Sequence, residues 1–279
     1  MRGRSHPGSV ACMPGTGRDA GRRGWAWPLL AAALLCALVW PSGSEAYVAC
    51  ERSGSTLTVS LTEREDSVRI TRAGTRIDVV IAISDIFDEQ ERGFALPCAG
   101  GTSRVDDTDA IVVEESPGVI AGRLDIDLGG GPLGPGLTPE ADGTGEIEVR
   151  AAMQGRFSSV VVHGTVFPDS LDFGRTAEGV FGANLNAGLE TSPDVDLVLE
   201  QAEIVAVEGR RGADRIAASG GAGFAGPLAG RTFAAGGGAG WDRIVGARSG
   251  NILIGGDGRD RLIGFKRTDY LEGGDAPDV

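Results

Sequence analysis

From Gly237 to Val279 the chain keeps a nine-residue register with no residue inserted or lost, and this regularity constrains its fold more than any other feature. In nines the segment reads GGAGWDRIV, GARSGNILI, GGDGRDRLI, GFKRTDYLE and GGDAPDV, headed by Gly237, Gly246, Gly255, Gly264 and Gly273. The sixth position carries Asp242, Asn251, Asp260, Asp269 and Asp278, and the eighth carries Ile244, Leu253, Leu262 and Leu271. Such a unit is a tight turn of six residues followed by a short strand of three, so that two units complete one coil of about eighteen residues. The aliphatic eighth residue points inward and stacks on its neighbours.

Glycine serves these turns where the backbone takes positive φ. The turn carbonyls and the sixth-position carboxylate are hard oxygen donors, the chemistry Ca²⁺ accepts at roughly 2.3 to 2.6 Å with six to eight ligands. Turns eighteen residues apart share an edge, which places 237, 255 and 273 on one edge and 246 and 264 on the other. The first edge keeps the pattern. On the second, Ser249 and Arg267 replace the fourth-position glycine, Asn251 replaces an aspartate, and Arg248, Lys266 and Arg267 add positive charge. A calcium ladder on one edge is therefore expected. Its residues are Gly237, Gly238, Gly240 and Asp242; Gly255, Gly256, Asp257, Gly258 and Asp260; and Gly273, Gly274, Asp275 and Asp278.

In GGAGWDRIV, GGDGRDRLI and GGDAPDV the segment 237–279 resembles the hemolysin-type (RTX) calcium-binding repeat family of secreted bacterial proteins. Upstream, GRRGADRIA from Gly209 keeps the same glycine, Asp214 and Ile216 spacing, and GTVFPDSLD from Gly164 is a more degenerate copy with Asp169 and Leu171. DTDAIVV, DLGGGPLGPG, DGTGEIEV and NLNAG resemble, more loosely, the strand-rich region that precedes such repeats. The resemblance implies a calcium-ordered, right-handed parallel β-roll. It implies no activity, since the repeats occur on toxins, proteases, lipases and adhesins alike.

The fold class expected is all-β, with short apolar runs recurring between Gly, Asp and Pro punctuation: AIVV at 110, RLDIDL at 123, EIEV at 146, SVVVH at 159, DSLDF at 169, VDLVL at 195 and EIVAV at 203. These fit a solenoid or a sandwich, and the solenoid flows into the repeats without a linker. With aromatics at 5%, the core must be built from Val, Ile, Leu and Ala. The Ala/Gly run from Ala218 to Gly236 reads as an irregular bulge that shifts the register, since Gly209 and Gly237 are 28 apart.

At the other end, Arg22-Arg23, the apolar run Trp25–Trp40 and small residues at Ser44 and Ala46 read as a secretory signal cleaved after Ala46. The run is short for a membrane span of about 20 residues, and an uncleaved anchor is the alternative. The organisation expected is a signal at 1–46, a β-rich region at 47–104, a solenoid-like region at 105–208 and the repeats at 209–279. Cys12 and Cys36 leave with the signal. Cys50 and Cys98 then read as a disulfide rather than a zinc site, because His163 is the one histidine outside the signal. The acidic stretch Asp85–Glu91 reads as a loop.

The net charge is −13, and residues 1–46 contribute +3 (five Arg against Asp19 and Glu45), which puts the exported part at −16. That charge argues against nucleic acid as a partner and suits a cation binder, although acidity also serves solubility. No HExxH, G-x-S-x-G or Cys/His couple is present, and His163 at a strand end reads as structural. Asp106, Asp107 and Asp109, and Asp125 with Asp127, could pair as glycosidase carboxylates, but such alternation more often marks a solvated strand face. GAGFAG at 221–226 neither follows a strand nor opens a helix, which weakens a phosphate-loop reading. The expectation is a secreted, non-enzymatic calcium-binding protein with a structural or interaction role and no membrane span once mature. The alternative is an extracellular hydrolase with its site between Arg104 and Glu208.

Overall fold

The computed structural model describes residues 48–64, 66–83, 92–139, 146–187, 194–221, 223–265 and 268–279. The signal segment, the acidic stretch Asp85–Glu91 and the Lys266-Arg267 pair lie outside the described residues.

The chain opens with two hairpins, β1 (Val48–Ser53) with β2 (Thr56–Leu61) and β3 (Ser67–Ala73) with β4 (Arg76–Ile83). Each closes through a two-residue turn headed by a glycine with left-handed φ, Gly54 and Gly74. Strands β5 (Arg92–Ala95) and β6 (Ser103–Arg104) both pair with β4. There follow β7 (Ala110–Glu115), β8 (Arg123–Asp127), a single 3₁₀ turn at Leu128–Gly130, β9 (Glu148–Ala152), β10 (Ser159–His163) and β11 (Ser170–Arg175). Next come β12 (Phe181–Asn184), β13 (Leu197–Glu200), β14 (Ile204–Glu208), β15 (Arg215–Ala217) and β16 (Gly226–Pro227). The tail supplies β17 (Thr232–Ala239), β18 (Arg243–Val245), β19 (Asn251–Asp257), β20 (Arg261–Ile263) and β21 (Tyr270–Gly274).

These strands form two mixed sheets. One runs β1-β2-β7-β9-β13-β12-β11-β15-β18-β20 with β16 beside β11; the other runs β21-β19-β17-β14-β10-β8-β3-β4-β5 with β6 beside β4. Strands from all three expected regions, 47–104, 105–208 and 209–279, enter both sheets. Along the tail the chain alternates between the sheets, β17 to β18 to β19 to β20 to β21, and every neighbouring pair within a sheet there is parallel. One apolar face per strand is buried, as in β2, where Leu57, Val59 and Leu61 are inside. The inner faces share one core of mainly Val, Ile, Leu and Ala, joined by Phe173 of β11 and Phe233 of β17 with ring centroids 5.8 Å apart.

The eighteen-residue period appears directly in the pairing: Phe233 lies beside Asn251, Ile252 beside Tyr270 and Arg243 beside Arg261. Ile244 and Leu253 of the eighth positions are fully buried and Leu262 partly so, whereas Leu271 on β21 is 48% exposed, at the open edge of its sheet. Two expectations need correction. The division into six turn and three strand residues fits β18 and β20, but β17 and β19 run on into their turns, because stacked glycines let Gly238 and Gly256 continue the parallel ladder. Nor is 218–236 wholly irregular: Thr232–Ala239 is a regular strand. The extra residues form an excursion in which β16 pairs antiparallel with β11, and Phe224 packs where Gly174 has no side chain. The coil containing it is 28 residues long, Ile204 to Thr232, and returns to the same column.

Candidate metal centre

The turns at 209, 237, 255 and 273 stack so that each sixth-position aspartate reaches the preceding turn. Asp214 Oδ1 accepts a hydrogen bond from the backbone N–H of Asp169 (2.8 Å), Asp242 Oδ1 from Asp214 (2.8 Å), Asp260 Oδ1 from Asp242 (2.9 Å) and Asp278 Oδ1 from Asp260 (2.9 Å). Backbone bonds reinforce the column: Arg215, Arg243 and Arg261 donate to the carbonyls of Asp169, Asp214 and Asp242, each at 2.8 Å.

The second oxygens behave differently. Asp214, Asp242 and Asp260 are each only 2% exposed, and their Oδ2 atoms are buried without a hydrogen-bond partner. Such an oxygen costs about 1–3 kcal/mol unless something compensates it. It lies against the first glycine of its own turn, where a Cβ on Gly209, Gly237 or Gly255 would overlap it. In these three turns the second residue has positive φ: Arg210 at +72°, Gly238 at +98° and Gly256 at +107°. Where the second residue lacks positive φ, its N–H caps the sixth-position side chain instead. Thr165 donates to Asp169 Oδ2 (2.7 Å), Ala247 to Asn251 Oδ1 (2.6 Å) and Phe265 to Asp269 Oδ2 (2.9 Å). Positive φ at the second position and glycine at the fourth (Gly212, Gly240 and Gly258, against Phe167, Ser249 and Arg267) separate the two kinds of turn equally well.

On the 246/264 edge every oxygen of this set is used. Asp269 Oδ1 accepts from the Asn251 backbone (3.0 Å) and from Asn251 Nδ2 (2.7 Å), while the same amide also reaches the carbonyls of Ala247 and Ser249. An internally satisfied turn has little to offer a cation.

Electrostatics follow from the stacking, since parallel strands sit about 4.8 Å apart. Burial, with Asp242 and Asp169 adding repulsion, pushes the Asp214 carboxyl up to about 7. Burial, with Asp260 beside it, raises Asp242 as well. A hard divalent cation is a fitting partner for closely spaced, half-satisfied carboxylates. Of the remaining expected ligands, Asp257 and Asp275 have exposed side chains, although the Asp257 carbonyl accepts from Gly240 N–H (2.8 Å). Asp278 is half-buried. Asp214 was not among the expected ligands, though the GRRGAD spacing carried the signal; its turn has the same geometry despite Arg210 standing where the others have glycine.

His163 lies elsewhere, on the outward face of β10, and is buried. Its Nε2 is 3.0 Å from Asp125 Oδ1 and its Nδ1 2.9 Å from Glu208 Oε2, with Arg123 also bonded to Asp125. Burial opposes the imidazolium, but the two carboxylates outweigh it and hold His163 above its ordinary pKa. Both ring nitrogens are thereby occupied. The reading of Asp125 as part of a solvated face fails, since it is 1% exposed beneath this network. Asp106 is exposed and paired with Arg104, while Asp109 accepts from Leu137 and Thr138 N–H. The disulfide Cys50–Cys98 is formed, tying β1 to the segment after β5. Among the described residues no helix is long and apolar enough to cross a membrane.

Comparison with protein-family models, with curated proteins and with solved structures finds no match to this chain.

Proposed function

We propose that the protein is a secreted calcium-binding protein whose tail, 209–279, is a right-handed parallel β-roll ordered by Ca²⁺, and that its role is structural or interactive, not catalytic. The observation that carries this reading is the column of buried Asp214, Asp242 and Asp260 carboxylates, each with one oxygen bonded to the preceding turn and the other without a partner. Calcium held by these carboxylates and by turn carbonyls would supply the positive charge the column lacks. The disulfide suits an oxidising compartment, and so supports export and removal of residues 1–46.

For extracellular sites of millimolar class at about 1 mM Ca²⁺, linkage gives roughly 0.4 to 1.4 kcal/mol per site. Ordering is therefore graded and reversible. The test is circular dichroism of the exported chain titrated with Ca²⁺ and then with chelator. A gain of strand signal that the chelator reverses is expected, and identical spectra under both conditions would refute the reading.

A further inference from the structure

We propose that Glu146, Asp194 and Asp196, with the side-chain oxygen of Asn186, form a separate divalent-cation site suited to Ca²⁺. Nothing in this proposal rests on the nonapeptide turns. The residues come from three segments that sheet pairing brings to one end: Val149 of β9 lies beside Leu197 of β13, and Leu197 beside Ala183 of β12. Glu146 and Asp196 therefore enter their strands, and Asn186 leaves its own, at the same edge.

One carboxylate oxygen from each of the three acids lies within 4.8 Å of the others, a separation that a single ion at 2.3–2.6 Å from each can span. Proximity of acids alone would mean little, but the polar groups here are also left unfinished. Asp196 is 5% exposed; its Oδ2 accepts from Leu185 N–H (2.5 Å), while its Oδ1 is buried without a partner. Asp194 Oδ1 and Asn186 Oδ1 are likewise buried and unpartnered. The Asn186 amide nitrogen donates to Glu146, which leaves its oxygen as the acceptor still to be matched.

Glu146, Asn186 and Asp196 line a cavity of about 20 Å³ whose apolar wall includes Ile147 and Leu185, while Asp194 lies outside its lining and joins the site through its carboxylate oxygen within 4.8 Å of those of Glu146 and Asp196. That volume holds one water or one ion. Mg²⁺ keeps several waters and demands octahedral geometry, so a cavity of this size disfavours it; Ca²⁺ accepts irregular sets of carboxylate and amide oxygens. Three carboxylates and an amide oxygen form such a set.

The experiment measures bound Ca²⁺ per chain by equilibrium dialysis on the exported protein and on Asp194→Asn, Glu146→Gln and Asp260→Ala. Asp194 and Glu146 are half-buried, so their isosteric amides are the variants best placed to fold, as the calcium-free circular dichroism spectrum will show. Each is expected to lose one Ca²⁺ equivalent, or to bind it at least tenfold more weakly, while keeping the calcium-induced change in circular dichroism. Asp260→Ala is expected to keep this equivalent. If the turn column binds no calcium, wild type still binds one ion that Asp194→Asn loses, so the two proposals fail separately. Unchanged stoichiometry and affinity in both amide variants, as expected if the acids share protons instead, would overturn the site. Displacement of the ion by equimolar Mg²⁺ would overturn its assignment to calcium.

Discussion

The Asp260 carboxylate accepts the backbone N–H of Asp242, eighteen residues earlier, at 2.9 Å, and keeps its other oxygen buried and unpartnered. One oxygen thus joins neighbouring turns while the second is left without a protein donor. Asp269 on the opposite edge spends both oxygens on protein donors.

Asp260→Ala is therefore expected to reduce calcium binding at both gaps it borders, whereas Asp269→Ala should leave stoichiometry unchanged and cost about 1 kcal/mol per lost hydrogen bond. Calorimetric titration of the two variants decides this, and equal losses would contradict the one-edge arrangement.

Gly256 has φ of +107°, and a Cβ there would overlap the Gly238 carbonyl oxygen of the coil below. Gly256→Ala is expected to destabilise by about 2 kcal/mol or more, from strain at positive φ alone and before the clash is relieved. Gly236→Ala meets nothing within 4 Å and should be neutral or slightly stabilising. Urea unfolding in the presence of calcium compares them.

With its folded pKa raised to about 7, Asp214 binds more protons in the native than in the unfolded state between about pH 4 and pH 7. Its contribution thus makes the calcium-free protein more stable as pH falls through that window, the opposite of ordinary carboxylate behaviour. If the column holds calcium as proposed, protons would compete with the ion for the Asp214 carboxylate, and calcium affinity should fall over the same range. Melting temperatures at pH 5 and pH 7.5, with chelator and with calcium, test both signs, and Asp214→Asn should flatten the chelator series.

His163 has a dependence of the same sign at higher pH. Its folded pKa lies above the ordinary imidazole value, so its contribution is full below about pH 6.5 and lost as pH rises through the folded pKa. His163→Gln leaves Asp125 buried with Arg123 as its remaining charged partner in this network, and a loss of about 3 kcal/mol is expected. Denaturant unfolding at pH 6 measures it.

Cys50 and Cys98 are 48 residues apart, and opening that loop should cost about 4 kcal/mol from closure entropy. Mass spectrometry should find no alkylatable thiol before reduction. Reduction should lower the melting temperature while leaving calcium stoichiometry intact.

The eighteen-residue pairing period was legible because Gly237 to Gly273 repeat without interruption, and the strands at 76–83, 110–115 and 159–163 were legible as apolar runs. The part played by the second position was not, because residue type does not fix its φ there: Arg210 takes the positive φ of Gly238 and Gly256, while Ala247 does not and its N–H caps Asn251. The His163 network was hidden by long connections: Ser159 of β10 pairs with Arg123 on one side and Ile204 on the other, 36 and 45 residues away. Glu146, Asn186 and Asp196 share no period at all and meet only once the sheet has formed.

The lateral register of the tail also sets how its length can change. Every bond in the aspartate column joins a coil to its immediate neighbour, so removing or duplicating eighteen residues would leave each surviving contact of the same kind. Removing nine would exchange the edges, setting a carboxylate with an unpartnered oxygen against an Asn251-type turn that supplies its own donors. The excursion around Phe224 is the other permitted change, since added chain can loop out between strands and rejoin the column at Thr232. Length variation in this tail is thus quantised in whole coils, with loops of free length only where the chain leaves the stack.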